Sequence, residues 1–393
     1  MKLTTESMTE ATTQTMTHAV TIMNSTASQK PGAWPAWRWL AALLLVLFSM
    51  ASAIAAPPRF AQVLPDGKPI QFPADFGAHP DHRTEWWYAT GWLQTDDGKP
   101  LGFQITFFRS ATEHDAANPS AFAPRQLIIA HAALSDPADG KLLHDQKSAR
   151  EGFGLAYAKQ GNTDVKLGDW RFVREESGIY RATIPARDFT MTLTLQPTQP
   201  PMLQGDKGYS QKGPRPEQAS RYYSEPQLKV SGTIRRNGNT QTVTGTAWLD
   251  HEWFSSALDE SVAGWDWTGA NLEGGGALMV IRIRGKDGST VWASASLRDA
   301  AGNITQFKPG EVRFTPLRRW RSPRTKVEYP VAMQVDAGPH RWQLVPLQDD
   351  QELDSRQSTG VVYWEGAVKV LQDDKTVGHG YLELTGYLEP LKL

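Results

Sequence analysis

The sequence contains no cysteine. That excludes disulfides, thiolate nucleophiles, zinc sites built on cysteine, and a bacterial lipid anchor. It also lacks a dominant charge: 41 Lys and Arg stand against 42 Asp and Glu, a formal net charge of −1. No strong field is available to draw in nucleic acid or an anionic membrane. Helical periodicity is weak throughout, and only 111–120 and 252–259 admit a short helix. The G-x-S-x-G elbow, the phosphate loop, the dinucleotide fingerprint and H-E-x-x-H are all missing. No cofactor is implied.

Long apolar runs are equally scarce. The single candidate spans residues 39–50, behind Arg38 and a polar stretch from 1 to 30. Small residues follow it, Ala51-Ser52-Ala53-Ile54-Ala55-Ala56, ahead of Pro57. This is the three-part layout of a secretory signal peptide, and about a dozen residues is short for a membrane span. The expectation is a leader over 1–56, cleaved within 53–56 after Ala53 or Ala55. The mature protein would be periplasmic or secreted, with no stable membrane span. An uncleaved anchor is the alternative.

Tryptophan is in excess, with 15 copies, and 33 Gly and 26 Pro suit many turns. Two stretches nearly repeat each other. One runs Thr84-Glu85-Trp86-Trp87-Tyr88-Ala89-Thr90-Gly91-Trp92-Leu93, then a turn and an apolar strand. The other runs Gly264-Trp265-Asp266-Trp267-Thr268-Gly269-Ala270-Asn271-Leu272, then the hairpin turn at Glu273-Gly274-Gly275-Gly276 and a second apolar strand. With Leu93 set on Leu272, Trp86 falls on Trp265 and Tyr88 on Trp267. Residues two apart share a strand face, so each copy points two large aromatics one way. They mark an aromatic-lined interior. The closing segments repeat as well: Val243-Thr244-Gly245-Thr246-Ala247-Trp248-Leu249-Asp250 matches Val377-Gly378-His379-Gly380-Tyr381-Leu382-Glu383-Leu384-Thr385. Two similar units are expected, over about 70–253 and 264–388, within domains 57–255 and 256–393. Many short strands at regular spacing argue for barrels or sandwiches. The proline- and glycine-rich stretch 197–218 reads as a long loop at a barrel mouth.

Three consecutive ionisable residues, Asp250-His251-Glu252, end the first unit between Trp248 and Trp253. Asp250 and Glu252 share a face with Trp248, and His251 points away. A carboxyl held against tryptophan is desolvated and keeps its proton to higher pH. A second charged cluster is His79-Pro80-Asp81-His82-Arg83-Thr84-Glu85. It offers metal-ligand residue types without helical geometry, so no metal site is assigned. Arg83 and Glu85 are expected to pair with groups of the other unit, Asp266 among them. His131, in an apolar strand, reads as a satisfied core histidine.

The motifs His79-Pro80-x-x-Arg83-Thr84-Glu85-Trp86-Trp87-Tyr88, Tyr222-Tyr223-Ser224, Trp248-x-Asp250-His251-Glu252-Trp253, Gly264-Trp265-Asp266-Trp267 and Gly380-Tyr381-Leu382-Glu383-Leu384-Thr385-Gly386-Tyr387 resemble those of the AttH-like proteins. These are often labelled predicted secreted hydrolases and are related to carotenoid 1,2-hydratases and fungal Diels–Alderases. The resemblance implies an all-β chain of two tandem lipocalin-like antiparallel barrels. In the hydratases the matching motif has tyrosine at the position of Trp248 and asparagine at that of Glu252. Its aspartate, thought to be the proton donor, falls on Asp250. The reading that follows is a small apolar ligand in an aromatic cavity. Asp250, Glu252 and Glu85 would be the catalytic carboxyls, and Trp86, Tyr88, Trp248, Trp265, Trp267 and Tyr222 the substrate-binding residues. Two alternatives stay open: a carrier that needs the cavity but not Asp250, and a hydrolase using Asp250, His251 and Glu252.

Overall fold

A computed structural model describes residues 59–114, 117–256 and 258–391. The expected leader and its cleavage site lie outside the described residues. The alternating apolar and β-branched segments form strands that assemble into two antiparallel sheets, of 13 and 10 strands. The chain is all-β, with two tandem lipocalin-like barrels. The first sheet runs from Thr84 to Phe254 and the second from Val262 to Leu384.

The two sheets repeat one topology. Strand Thr84–Thr95 lies between its hairpin partner Pro100–Ala111 and the closing strand Asn239–Phe254. Strand Val262–Leu272 lies in the same way between Ala277–Gly285 and Lys375–Leu384. Outward from the closing strand, each sheet continues through one long strand, Ala219–Arg236 or Val362–Gln372, into a run of shorter ones. The first sheet curls until strands Gln126–Ser135 and Leu143–Arg150 approach Ala156–Ala158 and Asp164–Leu167 at its far end.

Strand alternation decides what each barrel buries. Trp87, Ala89 and Leu93 point into the first barrel, where they pack with Phe103, Phe107, Leu193 and Leu249. The second barrel closes over Val280, Tyr329, Val331, Trp342, Trp364 and Leu382. The other face of Thr84–Thr95 is also buried. Tyr88 and Trp92 pack with Trp248, Trp267, Met279, Ile281 and Tyr381 in a third cluster, between the barrels. Each such ring removes roughly 150–250 Å² from water, about 4–6 kcal/mol before conformational entropy is subtracted. Polar links cross the same seam. Asn271 donates to the Ala247 carbonyl at 3.0 Å, His131 Nδ1 meets the Tyr363 hydroxyl at 2.8 Å, and Ser135 donates to Gln351 at 2.6 Å. Gly269 makes the close packing possible. A Cβ there would stand 2.6 Å from the Trp267 ring and 2.8 Å from the Trp248 ring.

Two expectations are corrected. The segments 111–120 and 252–259 contain no α-helix among their described residues. Glu252 is held extended because it pairs with Trp86 on one side and Tyr222 on the other. The stretch 197–218 is not featureless either. Met202–Leu203 and Tyr209–Gln211 add to the edge of Ala219–Arg236 and pin the loop against the long strand.

Candidate functional site

A cavity of about 400 Å³ lies on the seam between the barrels. The aromatic face expected to line a barrel interior is therefore the outer face of both barrels. The interiors are filled by their own cores, and the alternation of Trp86, Tyr88 and Trp92 with Trp87, Ala89 and Leu93 sends the first set outward. Trp86, Tyr88 and Phe108 come from the first sheet and Trp265, Trp267 and Ile281 from the second. The aligned residues of the repeat meet here. The Trp86 and Trp265 rings are nearly parallel, 6.5 Å apart, and Tyr88 meets Trp267 edge to face at 5.3 Å.

Asp250 sits in the cavity wall and is 3 % exposed. Its Oδ1 accepts from Ser224 Oγ at 2.5 Å and from Trp248 Nε1 at 2.6 Å, and its Oδ2 accepts from Tyr222 Oη at 2.8 Å. The Tyr222 oxygen in turn accepts from Trp267 Nε1 at 3.2 Å. Burial pushes the Asp250 carboxyl up to about 7, against the three donors that favour its charge and with the help of neighbouring Glu252. Two acceptor directions exist on each carboxyl oxygen. Oδ1 uses both, so Oδ2 has room for a transferable proton. Trp248 is thus buried support for Asp250 rather than a cavity wall.

Glu252 also reaches the cavity. It pairs with Lys212 Nζ at 3.0 Å and accepts from Ser220. Lys212, from the pinned loop, also lies 4.7 Å over the Tyr222 ring.

Glu85 does not belong with them. It shares a face with Trp87, inside the first barrel, completely buried. Arg109 Nε donates to it at 2.7 Å, His79 Nδ1 lies at 2.7 Å and His251 Nε2 at 2.8 Å. Burial alone would raise its pKa. The hydrogen bonds from His251 and His79 overcome that and hold it well below the usual carboxylate range. Burial lowers His251 to about 4, so its ring is neutral, donating to Glu85 and accepting from the Tyr223 hydroxyl at 3.1 Å. His79, Glu85 and His251 bring possible ligand atoms within 4.8 Å of one another. Both imidazoles are already bonded to the carboxylate, and a cation there would sit beside the Arg109 guanidinium. This cluster braces the barrel. Neither Glu85 nor Asp266 bridges the units, because Asp266 pairs with Arg282 and Arg284 of its own barrel. Asp250 and His251 face opposite sides of one strand, so Asp250, His251 and Glu252 do not converge on one site. His131 is a satisfied core histidine that also borders the cavity, bonded to Tyr363 and Ser358.

The sequence pattern of the AttH-like proteins matches residues 63–387. The chain belongs to the AttH-like family. A protein from Nitrosomonas europaea assigned as AttH is 62 % identical, with a TM-score of 0.79, over 84 % of this chain and 99 % of that one. Kievitone hydratase from Nectria haematococca shares the fold at 15 % identity and a TM-score of 0.62, over 83 % of this chain and 96 % of that one. No curated protein matches.

In this AttH-like chain the cavity holds two acids that the motif reading passed over, Glu365 and Glu383. A signal for one of them was present. The matched closing segment contained Glu383, and the strand register sets it on Asp250, since Trp267 pairs with Glu383 as Tyr88 pairs with Asp250. Lys212 had no such signal, since nothing local says which loop residue turns inward.

Proposed function

We propose that this protein is exported and that its inter-barrel cavity takes an apolar, alkene-bearing small molecule, to which Asp250 adds a proton in a hydratase-like reaction. The observation that carries this reading is the Asp250 carboxyl, buried in an aromatic wall and poised near neutrality. A general acid works best when its pKa lies near the operating pH. The alkene π pair takes the Oδ2 proton and forms a C–H bond. The cation left behind faces Trp86, Trp265 and Trp267, each ring contact contributing roughly 0.5–2 kcal/mol. Water bonds to the cation and releases its extra proton to Glu252, from which it returns to Asp250, two residues away on the same face. The hydratase-like fold supports this reading without naming the substrate.

The experiment is incubation of the purified protein with isoprenoid alkenes, kievitone among them, and with whatever co-purifies, in oxygen-18 water. Mass spectrometry then looks for addition of one labelled water. Asp250→Asn should bind the same molecules and form no product. If the co-purifying molecule returns unchanged from the wild type and binds both proteins alike, the protein is a carrier. Export is tested by N-terminal sequencing of the mature chain, which should begin between residues 54 and 57. An intact leader on a cytoplasmic protein would refute it.

A further inference from the structure

The second sheet contributes its own acidic centre to the cavity. Glu365 and Glu383 stand directly opposite each other on paired strands, so their side chains share one face at a separation of about 5 Å between Cβ atoms. Both line the cavity. Glu365 is 1 % exposed, and neither of its carboxyl oxygens makes a hydrogen bond within 3.5 Å, although the Tyr88 and Tyr363 hydroxyls stand close enough to favour its charge. The buried hydroxyls of Tyr88 and Tyr381 make no hydrogen bond within 3.5 Å either, and that of Tyr88 is turned toward Glu365. Among the described residues no Lys, Arg or His forms an ion pair with either glutamate. The Lys and Arg residues that line the cavity are committed elsewhere, Lys212 to Glu252, Arg109 to Glu85 and Arg83 to Glu113.

A buried polar group without a partner costs about 1–3 kcal/mol, and more when it is charged. Such a group persists where a ligand completes it. Burial pushes both carboxyls up, with repulsion from Glu383 adding to it at Glu365 and from Asp250 and Glu252 at Glu383, and a bound cation would favour their ionised form. A purely hydrocarbon occupant would leave Glu365 as it is. An alcohol would satisfy one oxygen and neutralise nothing. A protonated amine does both, because its N–H groups reach the carboxylate oxygens and its charge lies against the Trp265 and Trp267 faces.

We propose that Glu365 and Glu383, with Tyr88, form a recognition site for a protonated amine on the ligand, whose apolar body fills the aromatic remainder of the cavity. This assignment does not rest on the hydratase reading, since recognition of the head group requires no turnover.

The test uses the full-length protein and three probes with one alkyl chain and different heads: octylamine, 1-octanol and octanoate. Binding is followed by calorimetry and by quenching of tryptophan fluorescence near neutral pH. Octylamine should bind roughly tenfold or more tightly than 1-octanol, the equivalent of one or two cation–π contacts with a paired charge, and the Glu365→Gln/Glu383→Gln double variant should reduce that preference below about threefold. The 1-octanol affinity should not change in the variant, and octanoate should bind weakest. The proposal is overturned if 1-octanol matches octylamine on the wild type, if octylamine fails to bind at millimolar concentration, or if the double variant keeps the preference. The wild-type comparison decides by itself should the variant not fold. Loss of hydration by Asp250→Asn, or its absence, would bear only on the hydratase reading.

Discussion

Replacing Asp250 by Asn isolates the energetic consequence of burying that carboxyl. Burial lifts Asp250 from the ordinary 3.8 to about 7. Between those two values the folded protein holds a proton that the unfolded chain has released. Stability must then fall as pH rises through the window and level off above about 7. The full loss is about 4 kcal/mol, from a rise of about 3 pH units at ~1.36 kcal/mol each. Integrating the same curve, roughly 2 kcal/mol is gone by pH 5 and about 2–3 kcal/mol more disappears between pH 5 and pH 8. Asparagine cannot ionise. It keeps an oxygen for Ser224 and Trp248, and the Tyr222 hydroxyl can rotate to accept from its amide. Urea denaturation of both proteins at the two pH values is the assay. Asp250→Asn should gain about 2–3 kcal/mol on wild type between pH 5 and pH 8. The other buried acids titrate in both proteins and cancel to first order. A pH-independent difference would mean that Asp250 has an ordinary pKa, and the poised acid would be lost with it.

Three further outcomes are expected. Tyr222→Phe removes the donor to Asp250 Oδ2, so the Asp250 pKa should rise, seen by carbon-13 NMR of the carboxyl, at a stability cost of about 1–2 kcal/mol; an unchanged titration would break the proposed link. Glu85→Gln leaves the buried Arg109 guanidinium without its counter-charge and should cost about 3–5 kcal/mol in denaturation. A variant of full stability that had lost turnover would return Glu85 to the catalytic group. Gly269→Ala sets a methyl against the Trp267 and Trp248 rings, and overpacking should cost about 1–3 kcal/mol. Weakened ligand binding should accompany it, and a variant with native binding and stability would show that the seam yields.

Much of the fold was legible because it is written twice. Register in a half-buried strand is set by its apolar pattern, and two copies of that pattern made Trp86 equivalent to Trp265 and Tyr88 to Trp267. The same spacing put Asp250 and Glu252 on one face and His251 on the other. The sequence by itself thus determined the class of fold, the duplication and the strand that bears the acid. It could not say where that acid works. Both faces of Thr84–Thr95 are apolar, since one fills a barrel and the other meets a second barrel. Hydrophobicity reports burial and not the neighbour that provides it. Only the tertiary structure moved the aromatic cavity from an interior to the seam and Glu85 from the cavity into a brace. Only it brought Lys212 and Glu365 to the site. These last decisions depend on contacts between residues far apart in sequence, which no local periodicity encodes.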